Sequence, residues 1–294
     1  MNLSEKHLYA FDDYAVEAAK KAAKIIVEKR SNELQVLSKE GGDTLASQVV
    51  TEVDRLAQSA ILDTLRPCLK ELDLGLLAEE SSDDGSRFSK DAFLCIDPLD
   101  GTLPYIKGTG GFAVSIAIVR RDGTPLYGLV LEPLTGKRYQ AISGMGIRRD
   151  AKPWNPPTAS GSSFHFYGDC SFIDQPDSTR ILDTVANELS QLGYTSFEKD
   201  FQSGGVMSAC HVMENAPACY FKFPKEQPGG GSPWDFAATA CLFHEANRVA
   251  TDIHGDPLDL NRRDSIFMNH RGILFATDEN IAHCIQNAYA KLRP

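Results

Sequence analysis

The sequence predicts a layered fold of the α/β or α+β class, because helical and strand patterns alternate in blocks along the chain. Two helical patterns come first, a series of strands follows, and the C-terminal part alternates between the two kinds of element. With 294 residues, 42% of them hydrophobic, the chain can build a substantial core. We expect one compact unit, 1–294, in two halves, 1–157 and 158–294.

The N-terminal half is predicted to contain two helices and then a strand meander. Between Leu8 and Arg30, apolar residues recur at three- and four-residue steps with Lys and Glu between them. A turn at Gly41–Gly42 and the stretch Ser47–Val50 precede a second helical pattern, which we expect Pro67 to end. The predicted strands are Ala92–Ile96, Ala113–Val119, Leu126–Leu131 and Lys137–Ile142.

The stretch Pro153–Ser163 is rich in proline and serine and is the predicted joint between the halves. Beyond it, helical and strand patterns alternate. The predicted strands are Ser163–Tyr167, Ala218–Phe223 and Val249–Ile253, and the predicted helices are Ser178–Leu192, Val206–Glu214 and Asp235–Ala246.

Composition and charge exclude several classes of protein. A net charge of −10 argues against a surface that binds a nucleic-acid polymer. The N-terminus lacks the apolar core and cleavage site of a secretory signal, and no apolar run is long enough for stable membrane insertion. The seven cysteines are scattered and form no Cys-x-x-Cys pair, which indicates reduced thiols in a cytoplasmic protein.

The motif Asp-Pro-Leu-Asp-Gly-Thr at 97–102 follows an apolar run and allows two interpretations. The simpler one is a strand that ends in a reverse turn, since proline presets φ and Asp-Gly suits tight geometry. The other is a metal site, because two carboxylates held this close repel each other unless a divalent cation lies between them. Two residues separate Asp97 from Asp100, whereas haloacid-dehalogenase-type phosphatases have one, so a phospho-aspartyl mechanism is disfavoured.

Three further acidic segments accompany this motif. Glu79 and Glu80 follow an apolar run, and only one of these neighbours is expected to face a shared site. Thr51-x-x-Asp54 and Ser232-x-x-Asp235 both fit a capping box at a helix start. That role is compatible with phosphate binding, because a helix N-terminus presents free N–H groups and positive dipole potential.

Taken in order, these segments resemble the lithium-sensitive, metal-dependent phosphatase superfamily of inositol monophosphatases, fructose-1,6-bisphosphatases and 3'(2'),5'-bisphosphate nucleotidases. The matching blocks are Thr-x-x-Asp, Glu-Glu, Asp-Pro-Leu-Asp-Gly-Thr and the Trp-Asp at Trp234–Asp235. Relatives commonly show Glu-Ala-Gly-Gly where this chain has Asn247 and Arg248 in place of the two glycines. The resemblance implies a layered α-β-α-β-α sandwich and a phosphoric monoester hydrolase.

The resemblance also implies roles for individual residues. The metal ligands would be Glu79, Asp97, the carbonyl of Leu99, Asp100 and Asp235, holding two or three Mg²⁺ ions. Asp54 and Thr102 would orient and deprotonate the attacking water. Glu79 would be a catalytic residue as well as a metal ligand. The substrate-binding group would comprise Gly101, Thr102, Gly204, Gly205, Lys222 and Asp235. Oxygen-only ligands agree with a hard cation on chemical grounds.

The substrate is expected to be a small phosphorylated metabolite. The tail at 255–277 resembles the bisphosphate nucleotidases, which favours hydrolysis of 3'-phosphoadenosine 5'-phosphate to AMP. Inositol 1-phosphate and fructose 1,6-bisphosphate are the alternative substrates, and a non-catalytic relative that binds metal or phosphate is the alternative of another class. Inositol monophosphatases place a glutamate a few residues before Trp-Asp. The glutamate nearest to that place in this chain is Glu226. Because relatives are often dimers, a homodimer is possible.

Overall fold

The computed structural model describes residues 3–30, 36–38 and 49–293. The helices are α1 (Glu5–Arg30), α2 (Glu52–Glu71), α3 (Thr102–Ile106), α4 (Ser178–Ser190), α5 (Gly205–Glu214), α6 (Pro233–Glu245) and α7 (Glu279–Leu292). The strands are β1 (Val36–Ser38), β2 (Val49–Thr51), β3 (Gly75–Ala78), β4 (Ala92–Asp100), β5 (Ala113–Arg120), β6 (Pro125–Leu131), β7 (Arg138–Ile142), β8 (Ile147–Arg149), β9 (Lys152–Pro153), β10 (Ser163–Asp169), β11 (Ser196–Ser203), β12 (Ala218–Lys222), β13 (Val249–Thr251) and β14 (Ile273–Ala276).

Two large sheets organise these elements. The first has seven strands in the order β3-β4-β5-β6-β7-β8-β9, with β3 parallel to β4 and every other pair antiparallel. The second has five strands in the order β11-β10-β12-β14-β13, with β10 parallel to both of its neighbours. The proline- and serine-rich stretch 153–163 runs from the last strand of the first sheet to the first strand of the second.

Three apolar clusters fill the spaces between five layers of helices and sheets. The first cluster joins α1 and α2 to one face of the seven-stranded sheet, through side chains such as Phe11 and Ile61. The second fills the space between the sheets around α5 and α6, and includes Met207 and Phe236. The third joins α4 and α7 to the outer face of the five-stranded sheet. The order of layers is therefore α-β-α-β-α, as the sequence resemblance predicted.

Strand β4 lies inside the first sheet and is buried along its whole length. Its side chains alternate between the two apolar clusters, with Phe93 and Cys95 in the central cluster and Leu94 and Ile96 in the outer one. Because both faces are covered, the strand is a continuous apolar run until Asp97. The alternation directs Asp97 to the central layer.

One boundary predicted from the sequence is wrong. Pro67 lies inside α2, which continues to Glu71, whereas we expected the proline to end it. A proline within a helix removes one hydrogen bond, but Leu65 and Cys68 on either side of Pro67 are both buried in the core. Packing of this apolar face keeps the chain helical past the proline.

A tight turn after α6 forms here without the two glycines of the relatives. Asn247 has a φ of 53°, in the left-handed region that asparagine tolerates better than most residues. The N–H of Arg248 donates to the carbonyl of Phe243 at 2.9 Å and closes the turn.

Some of the sequence predictions concern residues that the structure does not describe. The turn at Gly41–Gly42, part of Ser47–Val50 and the side chain of Thr51 lie outside the described residues. The sequence analysis does not predict the strands β1, β2, β8, β9, β11 and β14 or the helices α3 and α7 as separate elements. Within 3–30 and 49–293, none of the helices has both the length and the apolar character needed to cross a bilayer.

Helix α6 approaches the seven-stranded sheet closely at Gly128 in β6. A Cβ atom at this position would lie 2.3 Å from the backbone oxygen of Ala238, so only glycine fits. Nearby, the hydroxyl of Ser115 donates to the carbonyl of Trp234 at 3.0 Å. These two contacts fix the helix against the sheet, one of them next to Asp235.

We predict that Gly128→Ala lowers the free energy of unfolding by about 1–3 kcal/mol, because the added methyl group forces α6 away from the sheet. Urea denaturation of both proteins measures the difference. The matched control is Gly110→Ala, whose Cβ would meet only Leu134 at 4.0 Å. Equal stability of the two variants would contradict the close approach.

Candidate active site

The end of β4 carries a bulge that brings two carboxylates together. Asp97 pairs with Ser115 of β5 and Asp100 pairs with Ala113, and the register shifts between them. The N–H of Leu99 donates to Asp97 Oδ1 at 2.9 Å, which holds the turned backbone. Both carboxylates are buried, with 1% of Asp97 and 7% of Asp100 exposed.

Asp235 reaches the same place from the second part of the chain. It lies in the first turn of α6, where the N–H of Ser232 donates to its Oδ2 at 2.6 Å in the predicted capping box. Asp97, Asp100 and Asp235 each have a carboxylate oxygen within 4.8 Å of the other two. We call these three residues the acidic cluster.

The electrostatics of the acidic cluster are unfavourable without a cation. Burial raises the pKa of Asp97 well above its usual range, and the charges of Glu79, Asp235 and Asp100 raise it further. Burial, followed by the charge of Asp235, likewise raises the pKa of Asp100. Burial raises the pKa of Asp235 against the opposing effect of Lys222. The cluster therefore fits a hard divalent cation, which would replace the protons and offset the repulsion.

Glu79 and Glu80 face different surroundings, as the sequence predicts. The N–H of Glu79 donates to the carbonyl of Ile96 at 3.2 Å, and the charge of Glu79 acts on Asp97. The carboxylate of Glu80 lies 3.9 Å from Arg55 of α2. Glu79 is thus the glutamate beside the acidic cluster, although it stands outside the set of three whose oxygens lie within 4.8 Å.

Asp54 is buried in the first turn of α2. Burial and the carboxylate of Asp54 raise the pKa of Tyr105 to about 12, so Asp54 lies near α3, the short helix that follows the acidic motif. The hydroxyl of Tyr105 donates to the carbonyl of Ile26 at 3.2 Å and anchors α3 to α1.

Gly101 and Thr102 form the turn between β4 and α3. Gly101 has a φ of 84°, and a Cβ there would lie 2.9 Å from the backbone oxygen of Gly111, so both conformation and space require glycine. The hydroxyl of Thr102 donates to the carbonyl of Leu99 at 3.4 Å. The carbonyl predicted to bind metal and the hydroxyl predicted to orient water are thus neighbours.

Gly204 and Gly205 lie directly against Asp100. The N–H groups of Gly205 and Val206, at the start of α5, donate to Asp100 Oδ1 and Oδ2 at 3.1 and 2.9 Å. A Cβ on Gly204 would lie 2.2 Å from Asp100 Oδ2 and 2.7 Å from the Cα of Gly101. The carboxylate therefore caps a helix of the second part of the chain, and Gly204 leaves it the space to do so.

Lys222 pairs with a residue that the sequence analysis missed. Its ammonium lies 2.5 Å from Asp169 Oδ2. Burial by itself lowers the pKa of Lys222, but the effects of Asp169, Tyr220 and Asp235 together outweigh it and the pKa is raised. A signal was available, because Asp169 and Lys222 end two neighbouring strands, and the carboxyl ends of parallel strands are a common ligand site.

This fold and this acidic site define a class of enzymes, the metal-dependent phosphoric monoester hydrolases with an α-β-α-β-α sandwich. The sequence profile described as "Inositol monophosphatase family" matches residues 7–288. The chain belongs to this family, as the resemblance predicted.

Individual relatives are similar over most of their length. Inositol monophosphatase 1 of Sus scrofa is 25% identical over 285 residues, which cover 93% of each chain. The Nus factor SuhB of Escherichia coli K12 is 28% identical over 244 residues, covering 82% of this chain and 84% of the relative.

Solved structures confirm the fold. The inositol monophosphatase of Anabaena superposes with a TM-score of 0.71 at 23% identity, covering 98% of both chains. Inositol monophosphatase II of Staphylococcus aureus gives a TM-score of 0.70 at 23% identity, covering 95% of both chains.

We predict that Gly204→Ala lowers turnover by about 100-fold, because the new Cβ would displace Asp100 from the helix start by an ångström or more. The release of phosphate from a phosphomonoester substrate measures the effect. Gly110→Ala again serves as the control, with unfolding followed in parallel. An active, equally stable Gly204→Ala protein would contradict the packing of Gly204 on Asp100.

Proposed function

We propose that this enzyme is a Mg²⁺-dependent 3'(2'),5'-bisphosphate nucleotidase that converts 3'-phosphoadenosine 5'-phosphate to AMP. The observation that carries the catalytic part of the proposal is the acidic cluster, three carboxylates from β4 and α6, two buried and that of Asp235 half-buried, with oxygens within 4.8 Å of one another. The assignment of a nucleotide as the substrate rests on the resemblance of the tail at 255–277 to the bisphosphate nucleotidases.

Five groups would hold the metal. Asp97, Asp100 and Asp235 supply carboxylates, the backbone of Leu99 supplies a carbonyl, and Glu79 lies beside them. All are oxygen ligands, which Mg²⁺ prefers, and two or three ions are proposed. When bound, the cations lower the pKa of the attacking water and neutralise charge on the phosphate and on the departing alkoxide.

The remaining residues orient the attacking water and bind the phosphate. Asp54 and Thr102 orient the attacking water and take its proton, with the charge of Glu79 nearby. The backbone N–H groups of Gly101 and Thr102 hold phosphate oxygens. Both residues are half-buried at the turn after β4.

The contacts of the tail support a role in specificity. The N–H of Met268 donates to the carbonyl of Gly231 at 2.9 Å, and the N–H of Lys225 donates to the carbonyl of Asn269 at the same distance. The amide of Asn269 also donates to the Lys225 carbonyl at 3.1 Å. The tail therefore shapes the loop that leads into Asp235.

Inositol 1-phosphate is the second candidate substrate. It is favoured by the names of Sus scrofa inositol monophosphatase 1 and of the Anabaena and Staphylococcus aureus enzymes. We also propose lithium sensitivity, a cytoplasmic location and a homodimer. The location is supported by seven free cysteines, six of them buried.

A substrate panel tests the proposal. Phosphate release is measured from 3'-phosphoadenosine 5'-phosphate, inositol 1-phosphate and fructose 1,6-bisphosphate, with and without Mg²⁺ and with added Li⁺. We expect the highest kcat/KM for the nucleotide, dependence on Mg²⁺ and inhibition by Li⁺. A preference for inositol 1-phosphate would replace the nucleotide assignment, and no Mg²⁺-dependent release from any member would overturn the proposal.

We predict that Asp97→Asn and Asp235→Asn each lower kcat/KM by at least about 100-fold while the protein stays folded, because one ligand charge is lost from the metal site. Asparagine at 235 can still accept the N–H of Ser232, so the helix start is kept. The exposed carboxylate of β11 gives the control Glu198→Gln. Near-normal rates in either cluster variant would contradict the metal assignment.

A further prediction concerns pH. Because the pKa of all three cluster carboxylates is raised above 3.8, the metal-free protein loses stability as pH rises through those pKa values. Added Mg²⁺ should stabilise the protein by about 3 kcal/mol at 100 times its Kd, and less at acid pH, where protons compete. Thermal unfolding of chelator-treated protein between pH 5 and pH 8 measures this. Stabilisation that grows toward acid pH would contradict it.

A further inference from the structure

Lys222 and Asp169 form a charged pair at the carboxyl ends of two neighbouring strands of the five-stranded sheet. They end the parallel neighbours β12 and β10, whose register pairs Tyr220 with Tyr167 two residues earlier. The carboxyl ends of parallel strands with helices on both faces are where ligands commonly bind. The pair is partly accessible, with 22% of the Lys222 side chain and 16% of the Asp169 side chain exposed.

Neighbouring groups hold the pair in place. Asp169 Oδ1 accepts the N–H of Ser171 at 3.1 Å and its hydroxyl at 2.5 Å, while Oδ2 faces Lys222. The ammonium of Lys222 lies 5.7 Å from the centre of the Phe236 ring. Both carboxylate oxygens of Asp169 are engaged, whereas the ammonium has three donors and directs one to Asp169. The pair as a whole is neutral, and what it offers to a ligand is hydrogen-bond donation from the ammonium.

The pair adjoins the acidic cluster. The charge of Lys222 acts on both Asp100 and Asp235 and favours their ionised forms. Phe236, under the ammonium, directly follows Asp235 in α6. Lys222 is also more exposed than Asp97 or Asp100. A substrate whose phosphate is held at the cluster would therefore bring its leaving group close to this ammonium.

We propose that Lys222, positioned by Asp169, determines specificity by selecting a leaving group that carries a second anionic group. This inference rests on the proposed phosphatase function of the acidic cluster. A phosphate or carboxylate accepts charge-assisted hydrogen bonds from the ammonium, and these are about twice as strong as those to a neutral hydroxyl. A polyol gains less, because the ammonium cannot accept hydrogen bonds from its hydroxyl groups.

The test compares substrates within each variant. Lys222→Met alone leaves Asp169 as an unpaired, largely buried charge, which destabilises folded proteins. The paired variant Lys222→Met with Asp169→Asn removes both charges, and Lys222→Arg keeps the positive one. The matched control is Lys291→Met with Glu188→Gln, an ion pair between α7 and α4, the two helices on the outer face of the five-stranded sheet.

The expected result is a change of preference rather than a uniform loss. In the paired variant, kcat/KM for 3'-phosphoadenosine 5'-phosphate should fall about 10- to 100-fold more than kcat/KM for inositol 1-phosphate. Lys222→Arg should keep most of the preference. Calorimetric titration should show weaker binding of AMP but unchanged binding of adenosine, a readout that does not depend on turnover.

The possible failures are distinguishable. An equal fall for both substrates, or unchanged AMP binding, would overturn the role of Lys222 while leaving the phosphatase function intact. A wild-type protein that hydrolyses no member of the panel would instead overturn the proposed function. A wild-type preference for inositol 1-phosphate that the paired variant retains would overturn the selection for an anionic leaving group.

Discussion

The structure depends on one carboxylate, that of Asp100. Its two oxygens accept the N–H groups of Gly205 and Val206, so it caps α5 across the space between the two sheets. The same side chain belongs to the acidic cluster with Asp97 and Asp235. Because one group both joins the layers and completes the cluster, the packing of α5 on β4 and the geometry of the site cannot vary independently.

Bringing three acids together, two of them buried, is unfavourable, and the surrounding chain reduces that cost in several ways. The N–H groups at the starts of α5 and α6 point at Asp100 and Asp235. The ammonium of Lys222 opposes the negative charge from one side. These contacts lower the repulsion without removing it, since the pKa values of all three carboxylates stay raised. The remaining repulsion is what a bound cation would offset, so the site couples metal affinity to stability.

The parts of the site that the sequence predicted are those with a local signature. Asp97 and Asp100 end an apolar strand, and Asp235 completes a capping box, so spacing indicated their local structure, while the resemblance to the phosphatase superfamily indicated that they share a site. The pair of Asp169 with Lys222 and the packing of Gly204 on Asp100 depend on contacts between residues more than fifty positions apart, so they follow from how the strands and helices are arranged and not from a local pattern. Pro67 shows the opposite error, because its local preference was overridden by the packing of α2.

The distribution of the cluster along the chain has a consequence for biosynthesis. Asp97 and Asp100 leave the ribosome more than a hundred residues before α5 and α6, which supply the helix starts and the third carboxylate. Until those helices arrive, the end of β4 lacks the N–H donors that face Asp100 in the finished protein. The first sheet is therefore expected to remain open at that end during synthesis, and its closure awaits the later part of the chain.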